Sequence, residues 1–346
     1  MASTVSRNLV EELRLKIEEI LRPLAPPGGK VALLDFPGYA NPGDNAIWLG
    51  AVRILGRLGH RKIDYTCDQG SYSRDELARL VDGGTIFLTG GGNLGDLWEA
   101  HQLFRERVIS EFPDQPIVQL PQSICFQSPD NLKRARKVFD SHPRLTLLLR
   151  DHRSYEFARN EFRASAILCP DISFALGRLT RACKPTADIL WISRTDKEAP
   201  PQRGRPLSPT LTPRDYIVDR RMPLQRVYNA LKRGLGLKGP VRRGLDRAIR
   251  ELHRPLAERT LVTGCRMLSS AHVVVTNRLH GHILCLLLGI PHFLSDNNYG
   301  KLSALYTTWT RDSHLACWCE TEAEALSAAS AYLRTGVLSP THGVAP

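Results

Sequence analysis

Short unbroken apolar runs recur along the chain, each followed within a few positions by glycine or a polar cluster and then by residues at helical spacing. Val31 to Phe36, Thr85 to Thr89, Ile117 to Ser123, Leu145 to Leu149 and Ile167 to Ser173 open with such runs in the first half. Ala187 to Ser193, Val273 to Thr276 and Pro291 to Ser295 do so in the second. Runs without polar alternation belong to strands covered on both faces, as in parallel sheets. With helical patterns such as Ala46 to Leu58, Val262 to Leu268 and Glu322 to Tyr332 between them, they predict α/β architecture with ligands beyond the carboxyl ends of the strands. The fold expected is two Rossmann-like domains, residues 1–178 and 179–346, whose parallel sheets face a cleft.

Val5, Leu9, Leu13, Ile17 and Leu21 mark one face of a helix of roughly five turns, expected to dock on the first domain. At the other end, Glu322 to Tyr332 is expected to cross back to that domain. Between them lie two glycine-bearing loops, Gly38 to Asn45 and Gly90 to Asp96. Asp44 or Asn45 is placed to cap the helix that follows the first. The second, GGGNLGD, has no acidic residue about 20 positions on at the end of another strand, so a dinucleotide site is not expected.

The stretch Val273 to Lys301 carries the densest chemistry. A β-branched run breaks at Thr276-Asn277-Arg278 and resumes as an apolar helix from His282 to Leu288. A helix start directly after a strand presents open N–H groups and a positive dipole end, and here the same loop supplies Arg278 and His280.

Charge changes the picture in one place. The chain of 346 residues carries a formal +12, and residues 197–259 hold sixteen Lys/Arg against six Asp/Glu. That segment reads as an insertion suited to anionic partners, with a proline-rich loop at Pro200 to Pro213 and a basic, amphipathic stretch from Leu224 to Leu256. Its aromatics are Tyr216 and Tyr228 alone, too few for base stacking, so nucleic acid is not an expected partner. Eight scattered cysteines without a CxxC pair fit a reducing cytoplasm. No run approaches the roughly 18 apolar residues of a membrane span.

By the strand-end rule Arg150, Asp171, Arg194, Arg278, His280 and Lys301 point into one cleft, with His282 a further candidate. Arginine forks and a lysine suit a small, multiply charged anion. His280, His282 and Asp296 are the one metal triad in reach, but HxH across a loop-to-helix junction seldom converges, so no metal is expected.

Seven segments together resemble the polysaccharide pyruvyl transferases. They are Asn41-Pro-Gly-Asp-Asn-Ala-Ile47, Gly90-Gly-Gly-Asn-Leu-Gly-Asp96, Leu120-Pro-Gln-Ser123, Leu149-Arg-Asp151, Pro170-Asp-Ile-Ser-Phe174, Arg278-Leu-His-Gly-His282 and Asp296-Asn-Asn-Tyr-Gly-Lys301. The resemblance implies a fold similar to the two-domain GT-B glycosyltransferases. It also implies transfer of pyruvate from phosphoenolpyruvate to a sugar of an exopolysaccharide or its lipid-linked repeat unit, as a ketal, with no other cofactor. By motif position it implies Arg150, Arg278, the Leu279 backbone and Lys301 around the donor, with His280 as catalytic acid or base. Asp44, Asn45, Asn93 and Asp96 are the matching candidates for the acceptor. The setting implied is cytoplasmic, peripheral at the inner face of the membrane, where the basic segment meets anionic lipid. A GT-B glycosyltransferase using a nucleotide sugar is the alternative that the same architecture allows.

Overall fold

The computed structural model describes residues 2–194, 215–216, 223–236, 239–296 and 299–338. The loop expected at Pro200 to Pro213 lies outside them. Two parallel sheets organise the rest.

The first contains β1 (Val31–Leu34), β2 (Tyr65–Cys67), β3 (Thr85–Leu88), β4 (Gly91–Gly95), β5 (Ile117–Cys125), β6 (Leu145–Leu149) and β7 (Ser165–Leu168). Its order is β2-β1-β3-β5-β6-β7, and β4 pairs with the far end of β5. The chain leaves β1 toward β2 and returns beyond it to β3, which makes a topological switch point between β1 and β3. The second sheet, β8 (Ala187–Ile192), β9 (Ala271–Thr276), β10 (His292–Leu294) and β11 (Ala316–Trp318), runs in chain order. This is the Rossmann-type, GT-B-like α/β fold expected.

Alternation along the strands sorts the core into three layers. Val31, Leu33, Phe87, Val118 and Leu148 face a middle layer, while Ala32, Leu34, Ile86, Leu145 and Leu147 face an outer one. The middle layer also takes Leu190 and Val274 from the second sheet, so one apolar cluster serves both sheets. Its helices are α1 (Ala2–Leu21), α2 (Pro42–Arg57), the long α8 (Gly239–Ser269) and α9 (Leu279–Leu288). In α9 every residue but His280 is buried, as a helix apolar on all sides requires. It ends at Gly289, whose φ of 67° supplies the left-handed C-terminal turn.

Helix α1 docks on the first domain as expected, on the short turn Ile172–Leu176, and also touches α9. Three expectations are corrected. The helix α11 (Glu322–Thr335) covers β8, β9 and β10 and does not cross back. Residues Gly91–Gly95 form strand β4 rather than a loop. The cap of α2 is Asn41, whose side chain accepts from Gly43 N at 2.9 Å, because Pro42 already occupies the first helical position. Asp44 and Asn45 therefore lie inside the first turn.

Candidate active site between the two sheets

Four side chains from four strand ends meet between the sheets. Arg150 follows β6, Asp171 follows β7, His280 lies in the first turn of α9, and Lys301 opens α10 (Lys301–Leu305). Arg150 is buried, and its fork donates to Asp171 Oδ2 at 2.8 Å and to Ser123 Oγ at 2.9 Å. His280 Nε2 lies 3.5 Å from the same Asp171 oxygen. The other Asp171 oxygen accepts from Ser173 N and Oγ, at 2.9 and 2.5 Å. Burial pushes the Asp171 carboxyl upward, but His280, Arg150 and Ser173 outweigh it and hold the group well below the usual carboxylate range. It stays an anion.

Two glycines let this cluster close. A methyl group placed on Gly92 would lie 2.9 Å from Arg150 Nη2 and 3.4 Å from Lys301 Nζ, so two cations share the small space above one glycine. Lys301 Nζ also donates to the Gly92 carbonyl at 2.9 Å, tying the second half of the chain to β4. On the other side His280 lies flat against Gly43, where a Cβ would be 2.6 Å from His280 Cβ. Such close approach is open only to glycine.

A second ring of contacts fixes these groups. Asp151 caps α6 (His152–Glu161) by accepting from Ser154 N at 2.7 Å, and it accepts from Ser123 Oγ at 2.6 Å. Trp309 Nε1 donates to the Arg150 carbonyl at 2.8 Å from a π-helical turn, Tyr306–Thr310, a type of turn often found beside functional sites. Beside Lys301, Ser123, Asp151, Arg153 and Tyr299 line a cleft.

The remaining sequence candidates divide. Leu279 is the first residue of α9, and the cap residue Arg278 makes no side-chain capping bond there. The Arg278 side chain instead pairs with Asp215. Arg194 is half-buried at the end of β8, its backbone N–H bonded to Asn277 Oδ1 at 2.9 Å. His282 is turned into the core: Nδ1 lies 2.6 Å from His292 Nε2, and Nε2 lies 2.8 Å from Thr310 Oγ1. Both of its ring nitrogens are thereby engaged. No group of three metal-ligating side chains occurs among the described residues.

Three of the four acceptor candidates hold loops together. Asn45 is buried and donates to the Tyr39 and Asn41 carbonyls at 3.1 and 2.8 Å. Asn93 accepts from Arg105 and from Gln122, at 2.9 and 2.7 Å. Asp96 accepts from the backbone N–H groups of Gln127 and Ser128. Asp44 remains half-buried in the first turn of α2, near Tyr39.

Sequence reading passed over a polar cluster at the switch point. Asp35, directly after β1, has φ of 66°, the single positive value outside glycine among the described residues. Its carboxylate meets His101 Nδ1 at 2.6 Å and Gln69 Nε2 at 3.1 Å. A carboxylate only accepts, so Nδ1 carries the proton in that contact. Strain held by partners in this way is frequent at functional sites. The one signal in the sequence was the lone acid in the run Val31 to Phe36; His101 lies on a helix without any such mark.

The sequence pattern described as Polysaccharide pyruvyl transferase matches residues 41–299. The chain is 33% identical over 291 residues to "Pyruvyl transferase 1" of Schizosaccharomyces pombe, covering 81% of this chain and 69% of that one. It is 30% identical to "Putative pyruvyl transferase EpsO" of Bacillus subtilis, covering 88% and 92%. A solved structure, that of the functionally uncharacterized protein KP1_0663 from Klebsiella pneumoniae, superposes with a TM-score of 0.56 at 18% identity, over 89% of this chain and 99% of that one. At that identity the likeness concerns the fold.

Proposed function

Because this chain belongs to the polysaccharide pyruvyl transferase family, we propose that it moves pyruvate from phosphoenolpyruvate to two hydroxyls of a sugar and closes it there as a ketal. The observation that supports this is the pair of cations over Gly92, with His280 brought beside them through Asp171. Phosphoenolpyruvate carries a carboxylate and a phosphate within three carbons. Arg150 offers a planar fork to one and Lys301 a compact charge to the other, while the open N–H groups at the start of α9 add dipole.

Chemistry starts with protonation of the methylene carbon, which leaves an oxocarbenium-like centre at the carbon bearing the phosphate. A sugar hydroxyl attacks that centre and loses its proton. The carbon–oxygen bond to phosphate then breaks, phosphate departs with the electron pair, and a second hydroxyl closes the ketal. Of the two hydroxyl protons, one balances that added to the methyl carbon and the other leaves on phosphate. His280 is the acid or base in this reading, because an imidazole can give or take a proton and its Nε2 lies 3.5 Å from Asp171 Oδ2, beside the two cations. The sugar lies against the mouth of the first sheet, where Asp44, Tyr39, Asp35, Gln69 and His101 present polar groups, while Asn45, Asn93 and Asp96 support the loops beneath. A lipid-linked repeat unit is the acceptor form that brings the protein to the inner membrane face; no helix among the described residues is long and apolar enough to cross a membrane.

Purified protein incubated with phosphoenolpyruvate and a lipid-linked oligosaccharide should release phosphate and add the mass of one pyruvyl ketal. His280→Asn should lose both while keeping its melting temperature. Undiminished turnover in that variant removes His280 from the chemistry; thermal stabilisation by uridine-diphosphate sugars but not by phosphoenolpyruvate overturns the donor.

A further inference from the structure

The basic segment folds in part as two helices, α7 (Pro223–Arg233) and α8, whose inward faces hold to the rest of the chain. Gln225 Nε2 donates to the Gly38 carbonyl at 3.0 Å, and Tyr228 Oη donates to Asp68 Oδ2 at 2.6 Å. Lys232 pairs with Asp68, and Arg250 makes a two-pronged bond to Glu76 at 2.7 and 2.9 Å. His253 stacks on Phe36, their rings 4.0 Å apart. Every one of these partners belongs to the first half of the chain, so α7 and the part of α8 beside it rest on one supporting surface, while the far end of α8 packs on α9 and β9.

The outer side of the pair is strongly basic. Its exposed charged residues, over the residues of the pair whose burial is described, are seven arginines and two glutamates, the glutamates paired with Arg247 and Arg254. Arg226 and Arg233 stand two turns apart on α7, and Arg243 and Arg247 one turn apart on α8. Val227 and Val241 are exposed among them, at 49% and 58%. Tyr216 and Tyr228, the aromatics of the segment, are both buried, which leaves nothing for a nucleic-acid base to stack on. Aliphatic side chains among arginines suit an interface where head groups are charged and the layer beneath is apolar.

We propose that the outer face of α7 and α8 is a docking surface for an anionic lipid bilayer, engaged in the plane of the head groups. This rests on the membrane setting proposed above and assigns the surface that meets it; vesicle binding is read without pyruvyl transfer, so the two fail separately. Each arginine near a negatively charged leaflet adds attraction, and salt screens it within a Debye length.

The test is flotation of the purified full chain with phosphatidylcholine vesicles, with and without about one-third phosphatidylglycerol, across a salt series. Anionic vesicles should retain the protein at low salt and release it at high salt; neutral ones should not retain it. The combined variant Arg226→Glu, Arg243→Glu, Arg247→Glu should lower partitioning by at least about 100-fold at unchanged melting temperature. A second variant, Val227→Ser with Val241→Ser, should weaken it while leaving the salt dependence intact. Equal retention by neutral and anionic vesicles overturns the proposal. So does a triple variant that floats like the parent, or an oligonucleotide that binds this face in preference to anionic vesicles.

Discussion

Gly43 and His280 are packed so closely that a Cβ on Gly43 would lie 2.6 Å from His280 Cβ and 2.7 Å from His280 Nδ1. The glycine of the first motif is therefore the seat of the histidine from the sixth. Gly43→Ala should displace the imidazole by enough to cost about 100-fold in turnover, with a far smaller change in melting temperature. Steady-state kinetics with calorimetry on one preparation checks this. Activity within a factor of a few of the parent would show that the packing is not critical.

Arg150 and Asp171 form a buried ion pair, exposed by only 3% and 0%. Removing one partner strands a charge in a dry site. Arg150→Ala should destabilise the fold by about 3–5 kcal/mol, read as a shift in urea midpoint, besides abolishing donor binding. Arg150→Lys keeps the charge but loses the fork to Ser123 and Asp171, so the KM for phosphoenolpyruvate should rise while the fold holds better than in the alanine variant. If lysine and alanine behave alike, the fork geometry is not what matters.

Trp309 reaches Arg150 from the other half of the chain, through its indole N–H on the Arg150 carbonyl. Trp309→Phe removes that one bond and should cost about 1 kcal/mol of stability. The expected kinetic signature is a higher donor KM at nearly constant kcat. A pure stability loss with unchanged KM would assign Trp309 to packing alone.

His282 and His292 are buried against each other and held neutral. Burial, aided by the His292 neighbour, pushes His282 well below its ordinary range, and burial brings His292 down to about 4. Unfolded, each titrates near 6.5, so over the interval between these values the unfolded chain binds more protons. Stability should thus fall on acidification from about 6.5 toward about 4, by up to roughly 1.4 kcal/mol per pH unit for each histidine. Urea titrations at pH 7, 6 and 5 measure this slope, and His292→Asn should flatten it. A midpoint indifferent to pH would contradict the buried neutral pair.

What the sequence disclosed was local. Arg150, Asp171, His280 and Lys301 each follow an apolar run, and the rule that ligands gather at strand ends was enough to bring them together. Asp44 and Asn45 looked like caps for the same reason that Asn41 is one, and only the preference of proline for the first helical turn separates them. Strand β4 was hidden because glycine argues against a strand, yet β5 outruns β3 and its free edge takes up the passing chain. His101 and Trp309 had no signal at all. They lie 66 and 159 residues from Asp35 and Arg150, the groups they bind, and nothing nearby in sequence marks either distance.

The apolar layer that α1, α2, α8 and α9 share between the sheets has a consequence for how the molecule comes apart. Neither sheet keeps a complete interior without the other, so melting should be a single concerted event, with calorimetric and van't Hoff enthalpies in agreement. Separately produced halves would then each collapse loosely, and regain order only when mixed.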